Sequence, residues 1–348
     1  MNNSMTHSLV LDVQAPNSFV PKVSVIVPVY NTELYVERAI ISLMEQTLDD
    51  VQFIIIDDGS KDTSLNIIKQ VISRYPARQG LVTLISRENR GVAATRAQGM
   101  ELATGDYVIH LDSDDWVELN WLEAMYTKAI EESADVVVCD YAAVYANKLE
   151  HIHMPAEQTG YACLKQLLCD KQRGYTWNKL ISREIIMKIK HPFIDGINYL
   201  EDFIYVMKCF HLSNKIIHVE QYLYNYNQQN TNSITKGMSS SKRKDILSTV
   251  NYVSDFLTSA TDNDFYAHDL MVFKIKQKVF LIYGEWKSVS MQTWQLFPDA
   301  NPYVLSAEIP PHFKFCMMMA NIKLYGLASI FMFYIIKLKF MLMPSSHS

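Results

Sequence analysis

Between Lys22 and Asp140, short β-branched apolar runs alternate with stretches of helical spacing, and this alternation constrains the fold more than any other feature. Strands are expected at Val23–Val29, Val51–Ile56, Val82–Ser86, Tyr107–Leu111 and Val136–Cys139. Helices are expected at Glu33–Gln46, Ser64–Arg74, Val92–Leu102 and Leu119–Glu131, with Thr32 and Asp62 placed to cap the first two. Strands that alternate with helices in this way form a parallel sheet covered by helices. In such α/β sheets ligands bind beyond the carboxyl ends of the strands. Three of those ends are polar: Tyr30-Asn31, Asp57-Asp58-Gly59-Ser60 and Asp112-Ser113-Asp114-Asp115.

After Cys139 the pattern is mixed, with a β-like run at Ile216–Val219, a helical stretch at Phe203–Leu212 and a polar segment from Asn225 to Ser241 that reads as a lid or a linker. Residues 242–287 read as mostly helical, and a Pro-bearing connection from Pro298 to Pro311 leads into a tail. The organisation is therefore 1–21 as a loose leader, 22–140 as an α/β half, 141–240 as a mixed region and 241–348 as a helical extension.

The 32 Lys and Arg against 37 Asp and Glu leave a net charge of −5, which gives no support to a dispersed attraction of the whole chain to nucleic acid or to an anionic membrane. The 5 cysteines are scattered and odd in number, as expected of reduced core thiols in a cytosolic protein. The first twenty residues hold no Lys or Arg and no long apolar run, unlike a secretory signal. The tail Phe313–Met343 carries Lys314, Lys323, Lys337 and Lys339 and no acid. Its uninterrupted apolar run, Leu324–Ile336, falls short of the roughly 20 residues a spanning helix needs. It reads either as a helix lying in a membrane interface or as a buried C-terminal helix.

Like-charged carboxylates packed after an apolar strand raise one another's pKa, so Asp112, Asp114 and Asp115 call for a positive partner. A hard divalent cation, Mn²⁺ or Mg²⁺, with oxygen ligands and open positions for phosphate, would supply it.

Val23–Asn31, Ile54–Ser60, Asn89–Arg96 and Leu111–Asp115, in this order and spacing, together resemble the nucleotide-binding half of glycosyltransferase family 2, the inverting enzymes of GT-A fold. The resemblance covers about 23–141 strongly. It implies a GT-A type nucleotide-binding sheet flanked by helices, with a mixed acceptor region and a helical C-terminal extension. It also implies transfer of a sugar from a nucleotide-sugar donor, a UDP-sugar foremost, to a glycan or lipid-linked acceptor in cell-surface polysaccharide synthesis. Such an enzyme would work in the cytoplasm, peripherally on the inner face of the membrane.

Carried over by position, the resemblance places Pro28, Tyr30 and Asn31 beside the base, Asp58 on the imide of a uracil, and Arg96 near base and phosphates. Asp57 would hold the loop. Asp112 would reach the ribose or a metal-bound water, and Asp114 the metal, with Asp115 a third member. The pair Glu201-Asp202 matches the family's catalytic base, with Asp202 the candidate and Glu201 the fallback. Trp177-Asn178-Lys179 matches a stretch that precedes this pair and would lie on the acceptor side, with Trp177 either stacking on a sugar or lying in the core.

Tyr224–Asn227 and Asn232–Thr235 resemble a segment that often carries Arg where Asn227 stands; Arg173, Lys179, Lys236 or the metal would then supply the missing charge. His110, His211 and His218 read as core residues rather than ligands. A sugar nucleotidyltransferase would need a Gly-rich phosphate loop that Val23–Asn31 lacks, and a non-catalytic assembly subunit would not need the acidic residues.

Overall fold

A computed structural model describes residues 9–11, 20–230, 237–260 and 265–342. In chain order the elements are β1 (Leu9–Leu11), β2 (Val23–Val29), α1 (Val36–Met44), β3 (Val51–Asp57), α2 (Ser64–Ser73), α3 (Pro76–Gln79), β4 (Val82–Ser86), α4 (Val92–Leu102), β5 (Tyr107–His110), β6 (Trp116–Val117) and α5 (Trp121–Glu132). They continue with β7 (Val136–Val144), β8 (Leu149–Ile152), α6 (Gly160–Leu168), β9 (Lys179–Ser182), α7 (Arg183–Lys188), α8 (Glu201–Leu212) and β10 (Ile216–Asn227). The helices α9 (Ser240–Ala260), α10 (Ala267–Gly284), α11 (Met291–Trp294), α12 (Pro311–Asn321) and α13 (Tyr325–Leu342) complete it. The chain divides into two compact units, 1–164 with 172–234, and 165–171 with 235–348.

The first unit is built on one sheet in the order β1-β4-β3-β2-β5-β9-β7-β10-β6, with β8 on the edge of β7. The parallel core β4-β3-β2-β5 follows from the expected alternation. Side chains alternate across the pleat. Val23, Val25, Val27 and Val29 therefore bury one face against Val36, Ala39, Ile40 and Leu43 of α1 and against Trp121, Leu122 and Met125 of α5. On the other face Ile26 meets Gly99 of α4, where a Cβ would come within 2.4 Å of an Ile26 methyl. His110, also on that face, packs edge-on against Tyr205 of α8.

Three expectations change. The sheet is mixed, because β9 runs antiparallel between β5 and β7, and it continues through β10, well past residue 140. Within the supposed leader, Leu9–Leu11 pairs antiparallel with β4; the rest of 1–19 lies outside the described residues. The helix expected from Glu33 starts at Val36, because the preceding turn is drawn into loop contacts: Glu33 N donates to Asp62 and Glu33 Oε2 accepts from Thr63 N. Thr32 caps nothing with its hydroxyl, which reaches Ser113 at 3.1 Å, whereas Asp62 does accept from Ser64 N at the start of α2.

The second unit is helical, as expected. Its core joins Val272, Ile275 and Ile282 of α10 to Trp294, Phe313, Cys316, Met317, Ala328, Met332 and Ile336. Among the described residues, no helix is long and apolar enough to cross a membrane.

Candidate active site

Arg96 organises the site. It lies on α4, buried, and its guanidinium fork donates from Nη2 to Asp112 Oδ1 at 2.7 Å and from Nη1 to Glu201 Oε1 at 2.5 Å. One side chain thus ties the loop after β5 to the first turn of α8. Burial disfavours its charge, but Asp112, Glu201 and Asp202 more than offset that and hold its pKa above the ordinary value. Its Nε is buried with no hydrogen-bond partner among the described residues.

Three carboxylates share this one cation. Burial pushes Glu201 up to about 8 against the pull of Arg96, with Asp202 adding to the rise. Burial also raises Asp202, opposed by Arg96. Asp202 Oδ1 accepts from Phe203 N at 2.7 Å, so the acid pair opens α8 where the helix dipole favours negative charge.

The three aspartates after β5 separate into distinct environments. Asp115 is wholly occupied: Tyr224 donates its hydroxyl at 2.6 Å and Asn227 its N–H at 2.7 Å. It is a structural anchor, and the third-member role expected for it is not where its oxygens point. Asp114 accepts from Asn230 Nδ2 at 2.8 Å and pairs with no Lys or Arg among the described residues. Burial, then the charge of Asp112, push its carboxyl above the usual range. Asp114, with no cationic partner, and Asp112, with one oxygen held by Arg96, have together the donor chemistry to hold a hard divalent cation.

The loops after β2 and β3 are knitted to each other. Asn31, at positive φ, receives Lys61 N on its Oδ1 at 2.7 Å and donates its own N–H to Ser60 Oγ at 3.0 Å. Asp57 accepts from Ser60 N and Ser86 Oγ, the loop-holding role expected of it. Asp58 is buried and accepts from Arg90 N and Gly91 N at 2.9 Å each, and from Arg87 Nη1. Arg87 follows β4 at the same edge of the sheet, yet nothing in its local sequence marked it. Pro28, next to last in β2, is half-buried, and Tyr30, just after the strand, is exposed.

Trp177, Asn178 and Lys179 are buried. Trp177 is 3% exposed and stacked between Tyr224, at 4.1 Å, and Tyr175, at 4.7 Å. Asn178 Nδ2 donates to Cys139 O. Lys179 Nζ donates to Arg173 O, Tyr175 O and Asn178 Oδ1, and burial lowers its pKa to about 7. All three side chains are buried, which favours a core role over the acceptor role expected of the triplet: Trp177 and Asn178 lie just before β9, and Lys179 opens it. Sequence reasoning also missed Asn230, and recognised Tyr224 and Asn227 only as part of a similar segment; their partners are more than 100 positions away.

His110 is buried edge-on between Phe193 and Tyr205, and burial then Arg96 lower its pKa well below the usual value, the neutral core histidine that was expected. His211 is a half-buried residue late in α8. His218 instead meets Asp140 and His153. Asn232–Thr235 and Lys236 lie outside the described residues.

Comparison with known proteins gives this geometry a lineage. The model of the family described as Glycosyl transferase family 2 matches residues 24–190. EpsH of Bacillus subtilis (strain 168), named as a glycosyltransferase, is 30% identical over 275 residues, 77% of this chain and 78% of its own length. The chain belongs to glycosyltransferase family 2. A second family relative, the cholesterol galactosyltransferase of Borreliella burgdorferi, is 32% identical over 234 residues, 63% of each chain. The fold is that of S. aureus TarS 1-349, solved in complex with UDP-GlcNAc: TM-score 0.68 at 18% identity, covering 88% of this chain and 90% of that one. The GT-A architecture expected of a family 2 glycosyltransferase is thereby confirmed, helical C-terminal region included.

Proposed function

We propose that this family 2 glycosyltransferase moves a sugar from a UDP-sugar to a hydroxyl of a glycan or lipid-linked acceptor, with inversion, in the assembly of a surface polysaccharide. The observation that carries the reading is the Arg96 bridge, which sets Asp202 of α8 beside the acidic loop Asp112–Asp115. The donor class is supported by TarS, solved with UDP-GlcNAc, and the polysaccharide by the Escherichia coli chondroitin synthase, 36% identical over 104 residues, 30% of this chain and 15% of that one.

In this reading Asp112 and Asp114 hold Mn²⁺ or Mg²⁺. Bound there, the cation neutralises the diphosphate that leaves. Asp202 takes the proton of the acceptor hydroxyl as that oxygen attacks the anomeric carbon. Glu201 is unsuited to this, because its carboxylate is engaged by Arg96; its work is to position that arginine. The buried Arg96 Nε offers a further donor toward the anionic donor substrate. Pro28, Tyr30 and Asn31 border the base. Asp58, having three internal donors, chiefly shapes the wall, while its remaining lone pairs accept the imide.

The acceptor is presented at a membrane by α12 and α13. Exposed Leu327, Ile330, Phe331, Tyr334, Leu338 and Met341 form one stripe along α13 at helical spacing, opposite buried Ala328, Met332 and Ile336. Phe315 of α12 meets Phe331, so the two helices offer one apolar face, and no acid follows Glu308 to balance the lysines. Such a face suits the interface of an anionic bilayer.

The test is calorimetry with a panel of nucleotide sugars, with and without Mn²⁺. Metal-dependent binding of a UDP-sugar, followed by its consumption when a glycan acceptor is added, is the expected result. Binding of none of the panel under either condition overturns the reading.

A further inference from the structure

The sheet carries a second cluster with ligand chemistry, apart from the acids described above. Asp140 of β7 is fully buried, yet the partners of its carboxylate among the described residues are two imidazoles and one amide. His218 Nε2 lies 2.8 Å from Oδ1, His153 Nδ1 lies 3.0 Å from Oδ2, and Met154 N donates to Oδ1 at 2.7 Å. The three donor atoms all lie within 4.8 Å of one another.

Adjacent strands bring them together. β7 pairs with β10 on one side and with β8 on the other. His218 comes from β10 just before the irregularity between Val219 and Tyr222, and His153 directly follows β8. Residues 138, 140, 218 and 222 face away from the Trp177 and Tyr224 layer, which receives Cys139, Tyr141 and Val219. The rings of His153 and His218 meet edge to face, 5.0 Å between centroids and 72° apart, and each directs a nitrogen at the one carboxylate. His151 stacks on Tyr222 at 4.2 Å beside them and walls the cluster.

A carboxylate removed from water requires positive charge nearby, and here no Lys or Arg among the described residues pairs with it. Two nitrogens and one oxygen, held by two strands and the residue that follows a third, are the donors that a borderline divalent ion such as Zn²⁺ prefers. Tetrahedral coordination at ~2.0–2.2 Å separates donors by about 3.3 Å; each imidazole lies near that distance from one of the two Asp140 oxygens, and one oxygen with both nitrogens fits within 4.8 Å, so small side-chain rotations close the set around an ion. His153 is 48% exposed on its side chain, which leaves an entry path and a fourth position for water. We propose that Asp140, His153 and His218 form a transition-metal site of Zn²⁺ type that staples β8 and β10 to β7. It differs in donor chemistry from the all-oxygen pair Asp112 and Asp114, and it does not rest on the glycosyl-transfer reading.

The experiment uses the full, untagged chain, stripped with a chelator and then saturated with Mn²⁺ to occupy the oxygen donors. Zn²⁺ is titrated by calorimetry, Co²⁺ by its visible absorption, and thermal unfolding is followed with and without Zn²⁺. One Zn²⁺ per chain, a tetrahedral Co²⁺ spectrum and a raised melting temperature are expected. Both His153→Ala, at an exposed position that folding tolerates, and His218→Gln should weaken Zn²⁺ by at least the roughly 10- to 100-fold that loss of an outer partner costs. Asp114→Asn should leave Zn²⁺ binding unchanged, which separates the two sites. No Zn²⁺ uptake under saturating Mn²⁺, or equal uptake by His153→Ala and wild type, overturns the proposal.

Discussion

Arg96 carries a load that its position in the sequence understates. One guanidinium faces Asp112, Glu201 and Asp202, so deleting it leaves buried carboxylates without a counter-ion. Arg96→Met should cost about 3–5 kcal/mol in urea unfolding, the usual penalty for breaking a buried pair. Asp202→Asn should instead leave stability and donor affinity nearly intact while lowering kcat by ~10²–10⁴-fold, the span of a general base. Steady-state kinetics with the donor found by calorimetry separates the two. Burial raises the Asp202 carboxyl above its ordinary value, and only the ionised form accepts a proton. With Asp202 as the proposed base, activity should be present above that raised pKa and lost as pH falls through it. The acid limb of the kcat profile should lie above the ordinary aspartate range, and it should be missing from the residual activity of Asp202→Asn.

At the scale of elements, the loop after β3 and the buried stack behind β10 hold the site in shape. Gly59 has φ of +74°, and a Cβ there would sit 2.8 Å from Asn89 N and 3.0 Å from Arg87 O, both backbone. Gly59→Ala should destabilise the protein by more than ~1 kcal/mol, read by thermal unfolding, because neither the angle nor the neighbours can adjust. Trp177 supports Tyr224 from behind, and Tyr224 holds Asp115, so Trp177→Ala should cost about 3–5 kcal/mol and loosen the acidic loop. Trp177→Phe, which keeps a stacking ring, should restore much of the loss; equal damage from both variants would argue against stacking as the cause.

For the whole molecule, the membrane role proposed for the helical unit makes a prediction of its own. If α12 and α13 lie in a bilayer interface, the protein should sediment with anionic vesicles and be released by salt, each lysine near the surface contributing about 1 kcal/mol. Ile330→Ser with Phe331→Ser should abolish sedimentation, and unchanged binding to vesicles would refute the interface.

The parallel half of the sheet and the acidic loop after β5 were legible in the chain, because hydrophobic period and strand-end polarity are local properties; the acid pair at α8 stood out only through the resemblance to the family. Val23–Val29 and Val51–Asp57 needed no partner to be recognised as strands. By contrast, β9 had no readable strand signal around Trp177–Ser182, since a short strand buried on both faces looks like any apolar run. Which way Arg96 turns, that Arg87 guards Asp58, that Trp177 belongs to the core, and that His153 and His218 converge on Asp140 were decided by tertiary structure alone. Each depends on side chains brought together by sheet pairing across long stretches of chain. Periodicity writes the elements into a sequence; the distances between their side chains exist only after the strands have paired.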